Sequence, residues 1–498
     1  MAETWLIRGA TRALALALLL GAAASAQAAT AAGGLALSAC SIEGFGGGAT
    51  DARCGTLAVP ENPAEPAGKR IELSVAVIPA ISRKAKSDPL FLIAGGPGQG
   101  TQEGFVPLLG ALSGIRRERD LVLLDQRGTG KSNRMGCKLD EEDLDQPDLD
   151  AGRYRELAAE CLKALPGRPE YYTTSVAVRD LDAVRAALGY ERVNLYGVSY
   201  GTRVAQHYAR RYPERVRAVI LDGVVHPTFL LGPAIALDGE AALQAHFARC
   251  AADAACNAAF PDLPGQFAAL RARLEKGPVE VRLNHPITGV PTVEKVGTGH
   301  LVLATRMMSY GANGASLLPL IVHEASTRGN LAPLAAQALM LGDQLADLIA
   351  FGMHNAVVCS EDLPFIDEAR IDLAALERSY MGKSTYDGLV AMCSIWPRGL
   401  VDPDLRKPLH SKVPALLLSG QLDPVTPPAY AAEAAKGFSD HVHVVMAGQG
   451  HGQVGIGCVQ QLMRKFLDAG TAQGLDAASC SKRVQPAPYF LSFSGPMP

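Results

Sequence analysis

Seven short apolar runs, bounded by glycine, proline or aspartate, set the main constraint on the fold of this chain. They begin, in chain order, at Ile71, Pro89, Asp120, Arg192, Val216, Val413 and His441. Most are continuously apolar, as a strand requires when both faces of its sheet are covered. Helical patterns alternate with them, such as the stretch that ends at Gly189, "SVAVRDLDAVRAALG". The pattern predicts an α/β fold with a mostly parallel sheet flanked by helices.

The alternation of strand and helix patterns stops between about residues 227 and 406. Ala-rich helical segments dominate there, such as "GEAALQAHFARCAADAACNAAF", with one short β-like pair, "VEVRLN" and "PTVEKV". We interpret this stretch as a mainly helical cap domain inserted before the last two strands. Residues 29–226 and 407–498 would then form the two parts of the sheet domain. The chain has 498 residues, which is ample for a large core and more than one domain.

The first 28 residues form a separate pattern. Arg8 and Arg12 precede the apolar run "ALALALLLGAAA", and small residues at Ala26 to Ala28 follow at the spacing of a cleavage site. This predicts a secretory signal peptide cut after Ala28, since the apolar run is short for a lasting membrane anchor. We therefore expect a secreted or periplasmic protein with no stable membrane anchor after the signal is removed.

Ten cysteines agree with an oxidising compartment. An even number in an exported chain is typical of disulfides, and no two cysteines have the two-residue separation common in zinc sites. We predict five local disulfides: Cys40–Cys54, Cys137–Cys161, Cys250–Cys256, Cys359–Cys393 and Cys458–Cys480. The net charge of −3, with no long run of one sign, indicates neither a nucleic-acid surface nor a polybasic membrane patch. Nothing indicates a metal or an organic cofactor.

The first candidate for chemistry lies in "YGVSYGTRVAQHYARRYP". This segment begins as a strand and continues as a helix, with Ser199 at the corner and Gly197 and Gly201 two places to either side. Side chains at the two glycines would collide with backbone in so sharp a turn, which lifts the serine hydroxyl clear of the sheet. The helix that starts beneath it favours negative charge. The pattern predicts a nucleophilic serine, and the alternative is an ordinary tight turn.

A serine needs a base to accept its proton, and two later strand ends supply partners. The run "LLLSGQLDPVTPP" turns through Asp423, and the run "VVMAGQGHGQVG" presents His451. Serine, acid and histidine at successive strand ends follow the order of α/β-hydrolase triads. Asp222 in "LDGV" is the competing acid, and Asp423 could instead be a plain turn residue before proline. We favour Asp423 because of its place in the strand order.

Two glycine-rich segments resemble nucleotide loops but sit in the wrong context. Residues 450–455, "GHGQVG", have dinucleotide-loop spacing, yet they follow the last strand, and Asp468 lies in a helical segment rather than at a strand end. The segment "DQRGTGKS" ends like a phosphate loop, but Asp125 stands where that motif needs glycine. We therefore assign the first loop to His451 and reject nucleotide binding.

A tetrahedral intermediate needs amide donors beside the nucleophile. The segment "AGGPGQG" follows the run that begins at Pro89, and Pro97 has no N–H. The expected oxyanion donors are therefore the amides of Gly96 and of Tyr200, the residue after the nucleophile. The alternative for the first segment is a simple glycine turn.

Four motifs in this order resemble those of proline-iminopeptidase-like serine peptidases: "GGPGQG", "DQRGTGKS", "NLYGVSYGTRVAQHYARRYP" and "SGQLDPVTP" with "GQGHG". The likeness is strongest to secreted tripeptidyl aminopeptidases, which have a characteristic C-terminal segment with the acid and the histidine. It spans about residues 91–480 and is loose in the cap. Ala94 departs from the pattern, since relatives often have histidine before these glycines.

The resemblance implies an α/β-hydrolase fold and hydrolysis of short peptides near a free N-terminus. Such an enzyme needs negative charge in the cap to hold the substrate ammonium, and "CSEDLPF" offers Glu361 and Asp362 as substrate-binding candidates. A secreted carboxylesterase or lipase-like hydrolase with the same triad is the alternative, since fold and triad alone do not separate the two. A catalytically inactive binding module is a third reading.

Overall fold

The computed structural model describes residues 29–30, 34–137 and 149–495. The predicted signal peptide, with Arg8, Arg12 and the expected cleavage site at Ala28, lies outside the described residues.

A ten-stranded sheet in the order β1-β2-β3-β4-β6-β5-β7-β8-β11-β12 forms the centre of the fold. Its strands are β1 (Ala29–Thr30), β2 (Ala36–Glu43), β3 (Ala49–Pro60), β4 (Arg70–Ile78), β5 (Leu90–Ile93), β6 (Leu121–Leu124), β7 (Val193–Val198), β8 (Val216–Asp222), β11 (Ala415–Gly420) and β12 (His441–Met446). From β6 to β12 along this order, neighbours are parallel, whereas β1 to β4 and the β4–β6 pair are antiparallel.

Each of the seven predicted apolar runs forms a strand of this sheet. Strands β5, β6 and β11 are buried along their whole length, because helices cover both faces. The α/β-hydrolase architecture predicted from these runs is confirmed. Strands β2 and β3 had no such signal, since they are partly exposed and rich in small and polar residues.

Helices outside the segment between β8 and β11 are Thr101–Phe105, Ser113–Arg116, Ala151–Ala164, Thr174–Ala187, Tyr200–Arg211, Pro428–Ala435, Gly457–Ala469 and Ala477–Ser481. Short 3-10 turns occupy Val106–Leu108, Pro169–Tyr171 and Pro213–Arg215. The helix predicted to stop at Gly189 ends at Ala187, and Gly189 has a positive φ of 78°, a conformation that suits glycine at a helix end.

Between β8 and β11 the chain is mainly helical, and we call residues 227–406 the cap. Its helices are Pro233–Ala252, Ala254–Ala259, Leu263–Leu274, Thr298–Ser309, Ala312–Thr327, Ala332–Leu348, Phe351–Val357, Leu373–Arg378 and Ser384–Cys393, with a π-helical turn Val358–Asp362 and 3-10 turns Leu363–Phe365 and Glu368–Arg370. The predicted hairpin forms a separate antiparallel pair, β9 (Val279–Asn284) with β10 (Pro291–Val296). The cap has its own hydrophobic cluster. The exact domain boundaries stay a prediction.

The C-terminal segment returns from the sheet to the cap. Tyr489 is buried there, and its hydroxyl donates to the carbonyl of His246 at 2.8 Å, while the guanidinium of Arg249 lies 4.1 Å from its ring centre. The amide of Phe490 donates to the carbonyl of Ser316 at 3.0 Å. The end of the chain therefore packs on the cap, because these aromatic rings find apolar cover on the cap cluster.

All five predicted disulfides are present: Cys40–Cys54, Cys137–Cys161, Cys250–Cys256, Cys359–Cys393 and Cys458–Cys480. The first joins β2 to β3, and the fourth joins the π-helical turn of the cap to the helix Ser384–Cys393. Among the described residues, no helix combines the length and the hydropathy needed to cross a bilayer.

Candidate active site

Ser199 occupies the sharp turn between β7 and the helix Tyr200–Arg211, with φ 56° and ψ −126°. A Cβ at Gly197 would lie 2.4 Å from the carbonyl oxygen of Gly201, and one at Gly201 would lie 2.3 Å from that of Ile93. Both glycines are therefore required by backbone packing, as the sequence predicts. The positive φ of a non-glycine residue is the kind of backbone strain that functional turns hold.

The backbone of Ser199 is fixed on both sides of the turn. Its amide donates to the carbonyl of Asp222 at 2.9 Å, across to the end of β8. Its carbonyl accepts from the amide of Thr202 at 2.9 Å and from the Thr202 hydroxyl at 2.6 Å. That hydroxyl in turn accepts from the amide of Val225 at 2.8 Å, so the turn is tied to the loop that follows β8.

His451 and Asp423 are in direct contact. The Nδ1–H of the imidazole donates to Oδ2 of Asp423 at 2.8 Å, which leaves Nε2 as the nitrogen that could accept a proton. Oδ1 of Asp423 accepts from the amides of Val425 and Thr426, at 2.9 and 2.8 Å. The carboxylate side chain is fully buried, so its orientation is set by these three partners.

Thr426 is a further member of this group that sequence reasoning missed. Its hydroxyl donates to Oδ2 of Asp423 at 2.7 Å and lies 3.1 Å from Nδ1 of His451. The available signal was a threonine three residues after the acid, where a short polar side chain can bond back to a turn. Thr426 therefore bridges the carboxylate and the imidazole.

The loop after β8 brings Ser199 and His451 to the same rim of the sheet. The carbonyl of Asp222 accepts from the Ser199 amide, and the next residue, Gly223, lies against the imidazole: a Cβ there would be 2.7 Å from Cε1 of His451. On another side, the His451 amide donates to the carbonyl of Tyr310 in the cap at 2.7 Å, and the two rings meet edge to face with centres 5.3 Å apart. Sheet and cap together hold the histidine.

Asp423 and His451 shift each other's pKa in the directions expected of a hydrogen-bonded acid and base. Burial lowers the pKa of His451, but the Asp423 carboxylate raises it more, and the net pKa lies above that of an ordinary histidine. Burial raises the pKa of Asp423, but His451 and Thr426 outweigh it, so the carboxyl stays ionised at neutral pH.

Asp222, the competing acid, has different partners. Its buried carboxylate accepts from the hydroxyl of Tyr196 at 2.9 Å and from the amide of Gln453 at 2.8 and 2.9 Å. Burial raises its pKa to about 6. Asp222 thus binds the backbone of the loop that carries His451, while Asp423 binds the imidazole itself.

The predicted oxyanion loop lies against the serine. A Cβ at Gly95 would be 2.9 Å from the Cβ and 3.5 Å from the Oγ of Ser199, so only glycine permits this approach. Gly96 follows with a φ of 103°, and Ala94, where relatives often have histidine, is buried. The amide of Tyr200 is at the start of the helix after Ser199, where backbone N–H groups are not used within the helix.

The two proposed substrate-binding acids are fully buried and already paired. Both carboxylate oxygens of Glu361 accept from Thr174, at 2.6 Å from its amide and 2.8 Å from its hydroxyl. Asp362 accepts from both terminal nitrogens of Arg203, at 2.7 and 3.1 Å, and Arg203 lies 3.5 Å from Glu361. Arg406 lies 3.9 Å from Asp362. Burial raises the pKa of Glu361 to about 7, although Arg203 opposes the shift.

The segment "DQRGTGKS" is used for structure. Asp125 accepts from the amides of Gln102 and Lys131, at 2.9 and 3.0 Å, and so closes the loop after β6. Arg127 is buried and binds both carboxylate oxygens of Asp180, at 2.6 and 2.8 Å. The groups of this loop are engaged with neighbouring elements of the sheet domain.

Two family models match the chain and agree with this geometry. One, described as alpha/beta hydrolase fold, matches residues 88–285, and the other, described as TAP-like protein, matches residues 378–480. The chain has the α/β-hydrolase fold, and its C-terminal segment matches the TAP-like family. The TAP-like match includes both Asp423 and His451, and the first match includes Ser199.

Curated relatives of this α/β hydrolase are enzymes. The serine protease Hip1 of Mycobacterium tuberculosis is 28% identical over 457 residues, covering 84% of this chain and 86% of the relative. The tripeptidyl aminopeptidase of Streptomyces lividans is 33% identical over 193 residues, 35% of this chain and 36% of the relative. Carboxylesterase B of Mycobacterium tuberculosis has the same identity over a stretch of the same length and the same coverage. The family and its relatives make this chain a serine hydrolase.

Proposed function

We propose that the chain is an exported serine aminopeptidase that hydrolyses short peptides from a free N-terminus. The observation that carries the proposal is the contact between His451 and buried Asp423 at the rim where the loop after β8 also fixes Ser199. Similarity along most of its length to a serine protease, and over a third of it to a tripeptidyl aminopeptidase, supports a peptide as the substrate.

In this proposal Ser199 attacks the scissile carbonyl and His451 accepts the hydroxyl proton through Nε2. Asp423 holds the other nitrogen of the imidazole and stabilises the positive charge that forms on the ring. The amides of Gly96 and Tyr200 receive the oxyanion, and loss of one such donor typically costs about 3–4 kcal/mol of transition-state stabilisation. The C–N bond then breaks as His451 returns the proton to the leaving amine, and water later hydrolyses the acyl-enzyme.

Recognition of the substrate ammonium falls to carboxylates of the cap. Glu361 and Asp362 stay predictions for this role, although Arg203 and Thr174 occupy the positions that an ammonium would take. Their pairing favours a role in joining the cap to the helix after Ser199. Asp238 offers a second candidate, because it accepts from the hydroxyl of Tyr430 at 2.6 Å. Burial raises the pKa of Asp238 to about 6 although the Tyr430 hydroxyl opposes the shift, and a bound ammonium would lower this pKa.

Export is supported by the five disulfides, which form and persist in oxidising compartments. The signal peptide of residues 1–28 and a secreted or periplasmic location stay predictions. Detection of the mature protein outside the cytoplasm, starting at residue 29, would test them. A mature chain that retains Arg8 and Arg12 would contradict the proposed cleavage.

A carboxylesterase remains the second candidate function. The observation that favours it is the similarity to carboxylesterase B, which equals the similarity to the tripeptidyl aminopeptidase in identity and in coverage. The same triad would serve an ester, and the difference between the two functions resides in the pocket.

A panel of arylamides with free and blocked N-termini, from one to four residues long, together with short acyl esters, separates the two functions. The proposal expects hydrolysis of free peptidyl arylamides, loss of hydrolysis when the N-terminus is blocked, and loss of all activity in Ser199→Ala. Activity confined to esters would replace the peptidase with an esterase. Absence of fluorophosphonate labelling at Ser199 would favour the inactive binding module.

The same panel tests the ammonium site. Asp238→Asn, or Glu361→Gln with Asp362→Asn, should reduce the ratio of free to blocked hydrolysis roughly tenfold if the carboxylate binds the ammonium. An unchanged ratio in a variant removes its residue from this role.

A further inference from the structure

Arg306 of the cap is a half-buried cation whose recorded partners are all neutral. It lies in the last turn of the helix Thr298–Ser309. One terminal nitrogen donates to the hydroxyl of Tyr310 at 3.3 Å, the other lies 3.5 Å from the sulfur of Met381, and the guanidinium carbon lies 5.8 Å from the Tyr310 ring centre. Within the ranges that the structure describes, Arg306 forms no ion pair with a carboxylate.

This cation lies one aromatic ring away from His451. Arg306 lies next to the ring of Tyr310. The same ring meets the imidazole of His451 edge to face, with ring centres 5.3 Å apart and planes at 74°. The carbonyl of Tyr310 also accepts from the His451 amide at 2.7 Å. Burial lowers the pKa of His451, Asp423 raises it, and the charge of Arg306 lowers it again, so the cation acts electrostatically on the imidazole.

A basic residue in the last turn of a helix also interacts favourably with the helix carbonyls, which is the ordinary explanation for Arg306. That effect needs charge but no particular side chain. A guanidinium presents five N–H donors in a planar fork that matches a carboxylate, and here a phenol and a thioether are the recorded partners. The guanidinium of Arg306 therefore has N–H donors beside the proposed active site that these two partners do not use.

The chemistry proposed above indicates which part of a substrate reaches this cation. His451 returns its proton to the leaving amine, so the residues beyond the scissile bond lie next to the imidazole when that bond breaks. In the cap, Tyr310 lies beside this ring and Arg306 lies beside Tyr310. In a short peptide, the leaving group ends in a free carboxylate a few atoms from the leaving nitrogen.

We infer that Arg306 binds the C-terminal carboxylate of the leaving group, so that the preferred substrates are short peptides with both termini free. This inference rests on the proposed aminopeptidase function and deepens it by naming the class of leaving group. Arg306 pairs with the carboxylate through its guanidinium fork while Tyr310 supports the cation from its ring face. Longer chains would place their carboxylate out of reach and lose this contact.

The test compares two forms of one peptide. Its sequence is that of the best-cleaved arylamide of the panel, with one amino acid residue in place of the arylamine. One form has a free C-terminal carboxylate and the other a C-terminal amide. Wild type should show a kcat/KM for the acid about tenfold above that for the amide. Arg306→Gln should bring the ratio to about one, and Arg306→Lys should keep part of the preference, because it retains the charge without the fork.

Tyr310→Phe is the matched control, because it removes the phenol partner of Arg306 and keeps both the ring and the carbonyl that holds His451. Its ratio of acid to amide should stay near that of wild type. A purely structural role of Arg306 would lower kcat/KM for the two forms by the same factor and leave the ratio intact. That result in Arg306→Gln would overturn the inference.

The outcomes also separate this inference from the function on which it rests. Equal hydrolysis of acid and amide by wild type would overturn the carboxylate site and leave the aminopeptidase in place. Failure of wild type to hydrolyse either form, together with ester hydrolysis at Ser199, would overturn the aminopeptidase and the carboxylate site with it.

Discussion

The rim of the sheet and the cap above it hold their polar side chains in different ways. At the rim, Asp423 and Asp222 are each fixed by backbone amides close to a strand end, and His451 is fixed by Asp423. In the cap, Asp362 is held by the side chain of Arg203, 159 positions away in the chain. Within the described part of the chain, the hydrogen-bond partners of Arg306 are a phenol and a thioether, those of Tyr310 and Met381.

This difference distinguishes residues that position the reacting groups from residues that select the substrate. Backbone amides at strand ends leave little freedom, so groups at the rim are preorganised for one geometry, as an electrostatic site requires. In the cap, the phenol and the thioether beside Arg306 leave N–H donors of its half-buried guanidinium free for groups of a substrate. We therefore place the chemistry at the rim and the choice of substrate in the cap, and the following experiments test that division from the largest expected effect to the smallest.

Replacing the proposed nucleophile should have the largest effect. Ser199→Ala should lower kcat about a million-fold, because the covalent step and its proton transfer are both lost. The measurement is kcat with the best arylamide, with thermal unfolding as the control for an intact fold. Residual activity within a hundredfold of wild type would mean that another residue is the nucleophile.

The two acids of the rim should differ in effect. Asp423→Asn should lower kcat about ten-thousand-fold, since an amide favours the wrong tautomer of the imidazole. Asp222→Asn is the matched control and should lower kcat far less, because Asp222 binds the Gln453 amide instead of the imidazole ring. A larger loss in Asp222→Asn than in Asp423→Asn would reverse the assignment of the acid.

Breaking the buried ion pairs beneath the cap should act on stability. Arg203→Met leaves Glu361 and Asp362 buried without their cation and should lower the free energy of unfolding by about 3–5 kcal/mol. Lys383→Met is the control, since Lys383 and Asp387 form an exposed pair one helical turn apart that contributes roughly 0.3–0.5 kcal/mol.

Denaturant unfolding monitored in both variants gives the comparison. Adding Glu361→Gln and Asp362→Asn to Arg203→Met should recover part of the loss, because the unpaired charges are removed. Equal destabilisation by Arg203→Met and Lys383→Met would show that the buried ion pairs are not what joins cap and sheet.

Removal of the bridging hydroxyl at the rim should have a moderate effect. Thr426→Val keeps the shape of the side chain and the backbone amide that binds Asp423, and should lower kcat about tenfold through weaker orientation of the Asp423–His451 pair. Thr426→Ser should restore most of the activity. Full activity of Thr426→Val would show that the hydroxyl does not contribute to catalysis.

The smallest expected effect is a shift of the pH profile. His451 must be neutral to accept the serine proton, and Asp423 raises its pKa above the ordinary histidine value of about 6.5. Activity should therefore be present above the raised pKa and fall as pH drops through it, so the acidic limb of kcat/KM should lie above pH about 6.5. A limb clearly below this value would contradict the ion-pair geometry. Because Arg306 lowers this pKa, Arg306→Gln should move the limb slightly upward.

The rim was predictable from the sequence because its signals are local or topological. Gly197 and Gly201 mark the turn at Ser199, and the strand order places Asp423 and His451. Continuous apolar runs identified the buried strands. Strands β2 and β3 escaped because they are partly exposed and have no such run.

Contacts between distant side chains could not be predicted in this way. Glu361 and Asp362 are acidic residues of the cap in the sequence, but their pairing with Arg203 and Thr174 depends on how the cap packs against the sheet domain. The position of Arg306 beside Tyr310, whose ring contacts His451, likewise depends on the register of one cap helix. Thr426 was near the predicted acid in sequence, but only the fold shows that its hydroxyl also reaches the imidazole.

The return of the C-terminal segment to the cap has a mechanical consequence. The cap is continuous with the sheet domain at both of its own ends, and Tyr489 and Phe490 add a third tether through His246, Arg249 and Ser316. A cap attached at three points cannot open by rotation about a single hinge. Opening of the cap would therefore require the hydrogen bonds of Tyr489 and Phe490 to break.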